Sequence, residues 1–170
     1  MSEREEIVGW FAGRIPQGWF EGVPEVRSDR EEIWVIGTLA EPKVGKDATK
    51  EALAAARAGR IKQFREETRE QRMAIAEEAK QRFGRETAWG VRVGEAQEMF
   101  THLALPVMTR LRLPEREILD TLIHAGVARN RAHALAWCVR LVERNQQEWL
   151  SELREAIAKV GQVRQQGPLN

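Results

Sequence analysis

The residues best suited to recognition chemistry in this chain are arginines at alternating positions. In the run Pro106-Val107-Met108-Thr109-Arg110-Leu111-Arg112-Leu113-Pro114, Val107, Thr109, Leu111 and Leu113 alternate with Met108, Arg110 and Arg112. A period of two places alternate side chains on opposite faces of an extended segment, so Arg110 and Arg112 share one face and the leucines the other. A guanidinium is a planar fork of donors that can hold two acceptors at once. Further along, Asn130 suits a helix N-cap, and the amides of Arg131 and Ala132 behind it form an anion-binding helix end with Arg129 and Arg131 beside it.

Other chemistries find little footing. His102, His124 and His133 are widely spaced, and no His-Glu-x-x-His or paired-cysteine motif accompanies them, so no metal site is expected. Cys138, the one cysteine, lies on an apolar stripe and reads as core rather than nucleophile. No serine has a visible histidine and acid constellation. Val44-Gly45-Lys46-Asp47 fails as a phosphate loop, because Ala40 stands where the first glycine belongs and Asp47 replaces the magnesium-binding hydroxyl. Neither a cofactor nor enzyme activity is therefore expected. Lys62, Arg65, Arg69 and Arg72 share one helical face and could track a phosphate backbone. Glu66, Glu67 and Glu70 nearby favour a solvated, salt-bridged face instead. Among six tryptophans, Trp10, Trp19, Trp34 and Trp89 read mostly as core; the competing use is a stacking platform for single-stranded nucleic acid.

The elements that must position these residues follow from composition and periodicity. With 170 residues, the chain has room for one domain or two small ones, and its charges nearly cancel at +1, which gives no overall basic excess. A single cysteine forms no intrachain disulfide and fits a reducing cytoplasm. The mixed-charge N-terminus is not a signal peptide, and no run of eighteen apolar residues is present. Residues 3–13 predict a helix, with Ile7, Val8, Trp10 and Phe11 clustered on one side. Residues 25–28 and 32–39 predict a hairpin around Ser28-Asp29-Arg30-Glu31. A long polar helix is expected over 48–83, with Gly59 as its weak point and Gly84 as its stop. A strand over 87–93 and a short helix over 95–103 complete an α+β domain, residues 1–104, with a small antiparallel sheet.

Pro114 opens the next predicted helix, residues 115–125, and Gly126 ends it. The helix after Asn130 carries Leu135, Cys138, Val139 and Val142, more apolar circumference than a 40-residue unit can bury alone. A heptad-like spacing continues through Gln146, Trp149, Leu153, Ala156 and Val160, for which a coiled-coil dimer seam and packing onto the N-terminal domain are equal readings. Residues 161–170 read as a frayed tail.

The order strand, proline, helix, glycine turn, capped apolar helix resembles the ribbon-helix-helix repressors of the Arc and MetJ class over about a quarter of the chain, residues 108–142. The resemblance implies a module at 105–160 in which two protomers pair their strands around a core of Leu111, Leu113, Leu135, Cys138, Val139 and Val142. The ribbon would present Met108, Arg110 and Arg112 to base edges in the major groove, while Arg129, Asn130, Arg131 and Ala132 hold phosphate. A bidentate arginine–guanine pair is worth roughly 1–3 kcal/mol of discrimination. The expected function is then a cytoplasmic, nucleoid-associated bacterial homodimer that binds double-stranded DNA and regulates transcription. In that picture the N-terminal domain serves a protein partner, an effector or further DNA. Two readings compete with it: Arg110 and Arg112 as ordinary solvent-side charges of an edge strand, and the module as a protein-interaction scaffold without DNA.

Overall fold

The computed structural model describes residues 3–45 and 47–166. The chain divides into two compact units, Met1–Pro106 and Val107–Asn170. In the first unit α1 (Glu3–Arg14) leads to β1 (Glu25–Ser28) and β2 (Glu32–Thr38), then α2 (Lys50–Glu67), α3 (Arg69–Phe83), β3 (Glu86–Val93) and β4 (Ala96–Met99). The β1–β2 hairpin forms as its residues predict. Asp29 Oδ1 closes the turn by accepting the amides of Glu31 at 2.9 Å and Glu32 at 2.8 Å, the local bonding for which aspartate is favoured in turns.

The sheet has order β1-β2-β3-β4, and it is mixed rather than antiparallel throughout. β3 runs parallel to β2, with Val35 opposite Trp89 and Gly37 opposite Val91. The reason lies between the two strands. The 33 residues of α2 and α3 supply a crossover long enough to return the chain to the same end of the sheet, as a parallel pair requires. Two apolar clusters hold helices to sheet. Ile7 and Phe11 of α1 and Ile75 and Ala79 of α3 meet Val26, Ile33, Val35 and Trp89; Ile61 and Phe64 of α2 meet Leu39, Val91 and Val93.

Two further expectations for this unit are corrected. The long helix breaks at Thr68, not Gly59. The Thr68 hydroxyl donates to the Phe64 carbonyl at 2.6 Å, which caps α2 from within and lets α3 leave in its own direction. Residues 95–103 form no helix. Gly94, at φ +54°, turns β3 back into β4, and Val93 pairs with Ala96 in a two-residue hairpin.

In the second unit α4 (Leu113–His124), α5 (Arg131–Asn145) and α6 (Gln147–Gln166) follow one another. Gly126, at φ +75°, makes the turn after α4. Leu119, Ala128 and Ala134 form the small core, against which Leu111, Leu122, Ile123, Leu135 and Cys138 pack. The expected ribbon is absent: residues 101–112 carry no strand, and Leu113 already belongs to α4. Two of the backbone groups such a ribbon would use are taken locally. The Glu115 carboxylate accepts the Arg112 amide, and the Arg116 guanidinium donates to the Leu111 carbonyl. The expected single extended last helix is interrupted at Gln146, whose backbone (φ −127°, ψ 33°) leaves the helical region. Residues 161–166 are helical rather than frayed, and the remainder of the expected tail, 167–170, lies outside the described residues.

Candidate functional site

The first turn of α5 is built as the sequence anticipates, but its charges are spent differently. Asn130 sits in extended backbone, and its side-chain oxygen accepts the His133 amide at 2.8 Å. His133 Nδ1 in turn accepts the Arg129 amide at 3.3 Å. Asn130 and His133 thus bind each other's flanks and fix where α5 begins. Arg131 turns back to α4 and donates twice to Asp120, at 2.8 and 2.7 Å. That hydrogen bond raises the Arg131 pKa and holds the Asp120 carboxyl below the usual carboxylate range. Arg131 is therefore already neutralised by a bidentate carboxylate. Ala132 stands exposed in the same turn.

Ahead of α4, Met108 is 96% exposed, and Arg110 and Arg112 are exposed as well. Among the described residues the side chains of Arg110 and Arg129 form no salt bridge, in contrast to Arg14, Arg57, Arg82, Arg85 and Arg92 of the first unit. The six residues expected to form a dimer core separate into two groups. Leu111, Leu135 and Cys138 are half-buried against the Leu119 cluster of their own chain. Leu113, Val139 and Val142 remain exposed.

The larger apolar exposure lies on α6, of which no residue is buried. Trp149, Leu153, Ile157, Val160 and Val163 all stand in solvent, Ile157 at 69%. The sequence spacing flagged Trp149, Leu153 and Val160; Ile157 and Val163 were passed over, although they extend the same stripe. On the α2–α3 face, Lys62 lies 3.9 Å from Glu66 and Arg65 lies 3.5 Å from Glu98. Arg72 is instead buried, a role its spacing concealed. Trp89 is in the core, whereas Trp10, Trp19 and Trp34 are only half-buried, and Arg27 lies over the Trp34 ring at 5.7 Å. Among the described residues no group of three or more His, Cys, Asp or Glu side chains is arranged to hold a metal ion. No described helix is long and apolar enough to cross a membrane.

Residues 5–99 match the family described as the N-terminal domain of Rv1265-like proteins, and residues 112–164 match the Mb1296 C-terminal domain. Two relatives are similar along nearly the whole chain: the uncharacterised protein Rv1265 of Mycobacterium tuberculosis and the uncharacterised protein Mb1296 of Mycobacterium bovis. Each is 54% identical over 159 residues, covering 94% of this chain and 69% of its own length. No solved structure matches. These matches, with the missing strand, replace the likeness to Arc and MetJ repressors: the C-terminal segment belongs to a helical domain with its own family description.

Proposed function

We propose, from the premise that this chain belongs to the Rv1265-like family, that it is a non-enzymatic protein that works as a homodimer joined through α4–α6. One observation carries the reading: the helical unit buries three residues and exposes most of its apolar ones. Val139, Leu141 and Val142 of α5 and Trp149, Leu153, Ile157, Val160 and Val163 of α6 each keep 40% or more of their surface exposed. Large apolar side chains left exposed in such number mark a binding surface rather than the face of a lone monomer. A second copy fits it because closed homodimers bury the same patch on both members. Sedimentation velocity on the full chain tests the idea. The expected species at micromolar concentration has twice the 19.5 kDa protomer mass; a protomer-sized species throughout that range would end the proposal.

A second reading, duplex DNA as the partner, is favoured by the charge distribution. The unit Val107–Asn170 holds ten basic and seven acidic side chains; the exposed Arg110 and Arg112 precede α4, and the exposed Arg129 precedes α5. Phosphate contacts of this kind make binding fall steeply with salt. Removing Arg110 by Arg110→Ala should weaken binding and flatten its salt dependence by about one unit of slope. Arg131→Ala should change the slope less, because Asp120 already occupies that guanidinium. An absence of duplex binding at low salt would dispose of this second reading.

A further inference from the structure

We infer that α6 is covered by α6 of a second copy, and that the two helices run antiparallel. The inference rests on the homodimer reading and narrows it to one helix and one orientation. Helices in proteins owe most of their stability to packing of an apolar face rather than to propensity, yet α6 buries none of its own residues. Its seam is regular. Trp149, Leu153, Ala156, Val160 and Val163 recur at alternating spacings of four and three, the pattern of side chains that interlock between paired helices.

Charge decides the orientation. The first half of α6 carries Glu148, Glu152 and Glu155, with Arg154 among them, and the second half carries Lys159 and Arg164. Glu152 and Lys159 flank the seam on one side; Leu150, Ile157 and Arg164 flank it on the other. In a parallel pair the flanks cross over, so that Lys159 meets Arg164 of the second copy and Glu152 meets Ile157. Both contacts are poor, one by repulsion and one by stranding a charge on an apolar side chain. In an antiparallel pair like flanks meet. With Leu153 set against Ala156 of the second copy, Trp149 falls on Val160. Glu152 then meets Lys159 twice by symmetry, and Leu150 meets Ile157. Ala156 at the centre lets the helices approach closely. Both flank pairs that fall within α6 are complementary in this register and neither is in the parallel one.

The test uses the full chain and two exposed residues, so that folding is not at stake. Glu152→Lys alone and Lys159→Glu alone each place like charges opposite one another and should raise the dimer dissociation constant by about tenfold. The double variant E152K/K159E restores both attractions and should return to the parental value. An equimolar mixture of the two single variants should pair as heterodimers in preference to either homodimer, read by native mass spectrometry. If the parent is dimeric but the single variants match it, or the mixture pairs at random, the antiparallel α6 contact is wrong while the homodimer reading survives. If the parent is a monomer, both fall together.

Discussion

An arginine that is only 7% exposed needs its donors satisfied, and Arg72 shows how the first unit manages this. Its Nε donates to the Thr68 hydroxyl at 2.9 Å, one Nη donates to the Arg65 carbonyl at 2.7 Å, and its guanidinium lies 4.8 Å from the Phe100 ring centre. These contacts bind the start of α3 to the end of α2 and to the chain just past β4. Burial, followed by repulsion from Arg65 and Arg69, pushes the Arg72 guanidinium down to about 10. The folded chain therefore holds this proton less firmly than the unfolded chain does. The cost of burying the charge is present at neutral pH and is relieved only as pH rises from about 10 towards the ordinary, higher value of an arginine. Arg72→Ala leaves a void and removes both bonds, and should cost about 2–3 kcal/mol. Arg72→Met keeps the volume and removes the buried charge, and should cost about 1 kcal/mol or less. Urea unfolding of the two variants checks this; equal losses would show that the void and the bonds do not matter separately. Asp120 tests the second unit in the same way. Its carboxyl is held low chiefly by the Arg131 hydrogen bond, so its stabilising effect is present above the ordinary aspartate range and fades as pH falls through the lowered value. In Arg131→Ala the Asp120 carboxyl should titrate nearer to 3.8, read by carboxyl NMR.

Elements whose signal is local were legible in the chain; those settled by distant partners were not. The hairpin around Asp29, the stop at Gly84 and the cap at Asn130 are each decided within four residues, and each stands where the residues predict. The break in the long helix was misplaced because glycine is the weaker helix former, whereas the break is made by a threonine bonded to its own helix and to Arg72. β4 was missed because its four residues gain strand character from pairing with β3, not from their own propensities. Residues 107–113 show the converse: a clean period of two says which side chains share a face but does not supply the backbone partner that makes a strand. The two glycines of the helical crossover separate these effects. A Cβ on Gly59 would meet nothing within 4 Å, and the residue lies inside α2. Gly59→Ala should therefore stabilise the protein by about 0.5–1 kcal/mol. Gly84 holds φ +68° at the end of α3, so Gly84→Ala should destabilise by about 1 kcal/mol. Thermal unfolding should move the two variants in opposite directions; a shift of the same sign in both would contradict the backbone argument.

At the scale of the whole molecule, the near-zero net charge hides an unequal division. Met1–Pro106 carries seventeen basic and nineteen acidic side chains, whereas Val107–Asn170 is basic. Apolar surface is divided as unequally. The first unit buries its apolar residues between helices and sheet, whereas α6 buries none and α5 leaves Val139, Leu141 and Val142 exposed. If the second unit is completed by another copy, its stability must depend on protein concentration while that of the first need not. Hydrogen exchange resolved by segment separates the two. When dimer predominates, the monomer fraction falls with the square root of total protein. Amides of α5 and α6 that open only after dissociation should therefore gain about threefold in protection for a tenfold rise in concentration. Amides of β2 and β3 should show no such change, because their neighbours all belong to the same chain. Uniform, concentration-independent protection across α4–α6 would mean that the helices are stable as a lone unit, and the exposed stripe would then have to serve some other partner.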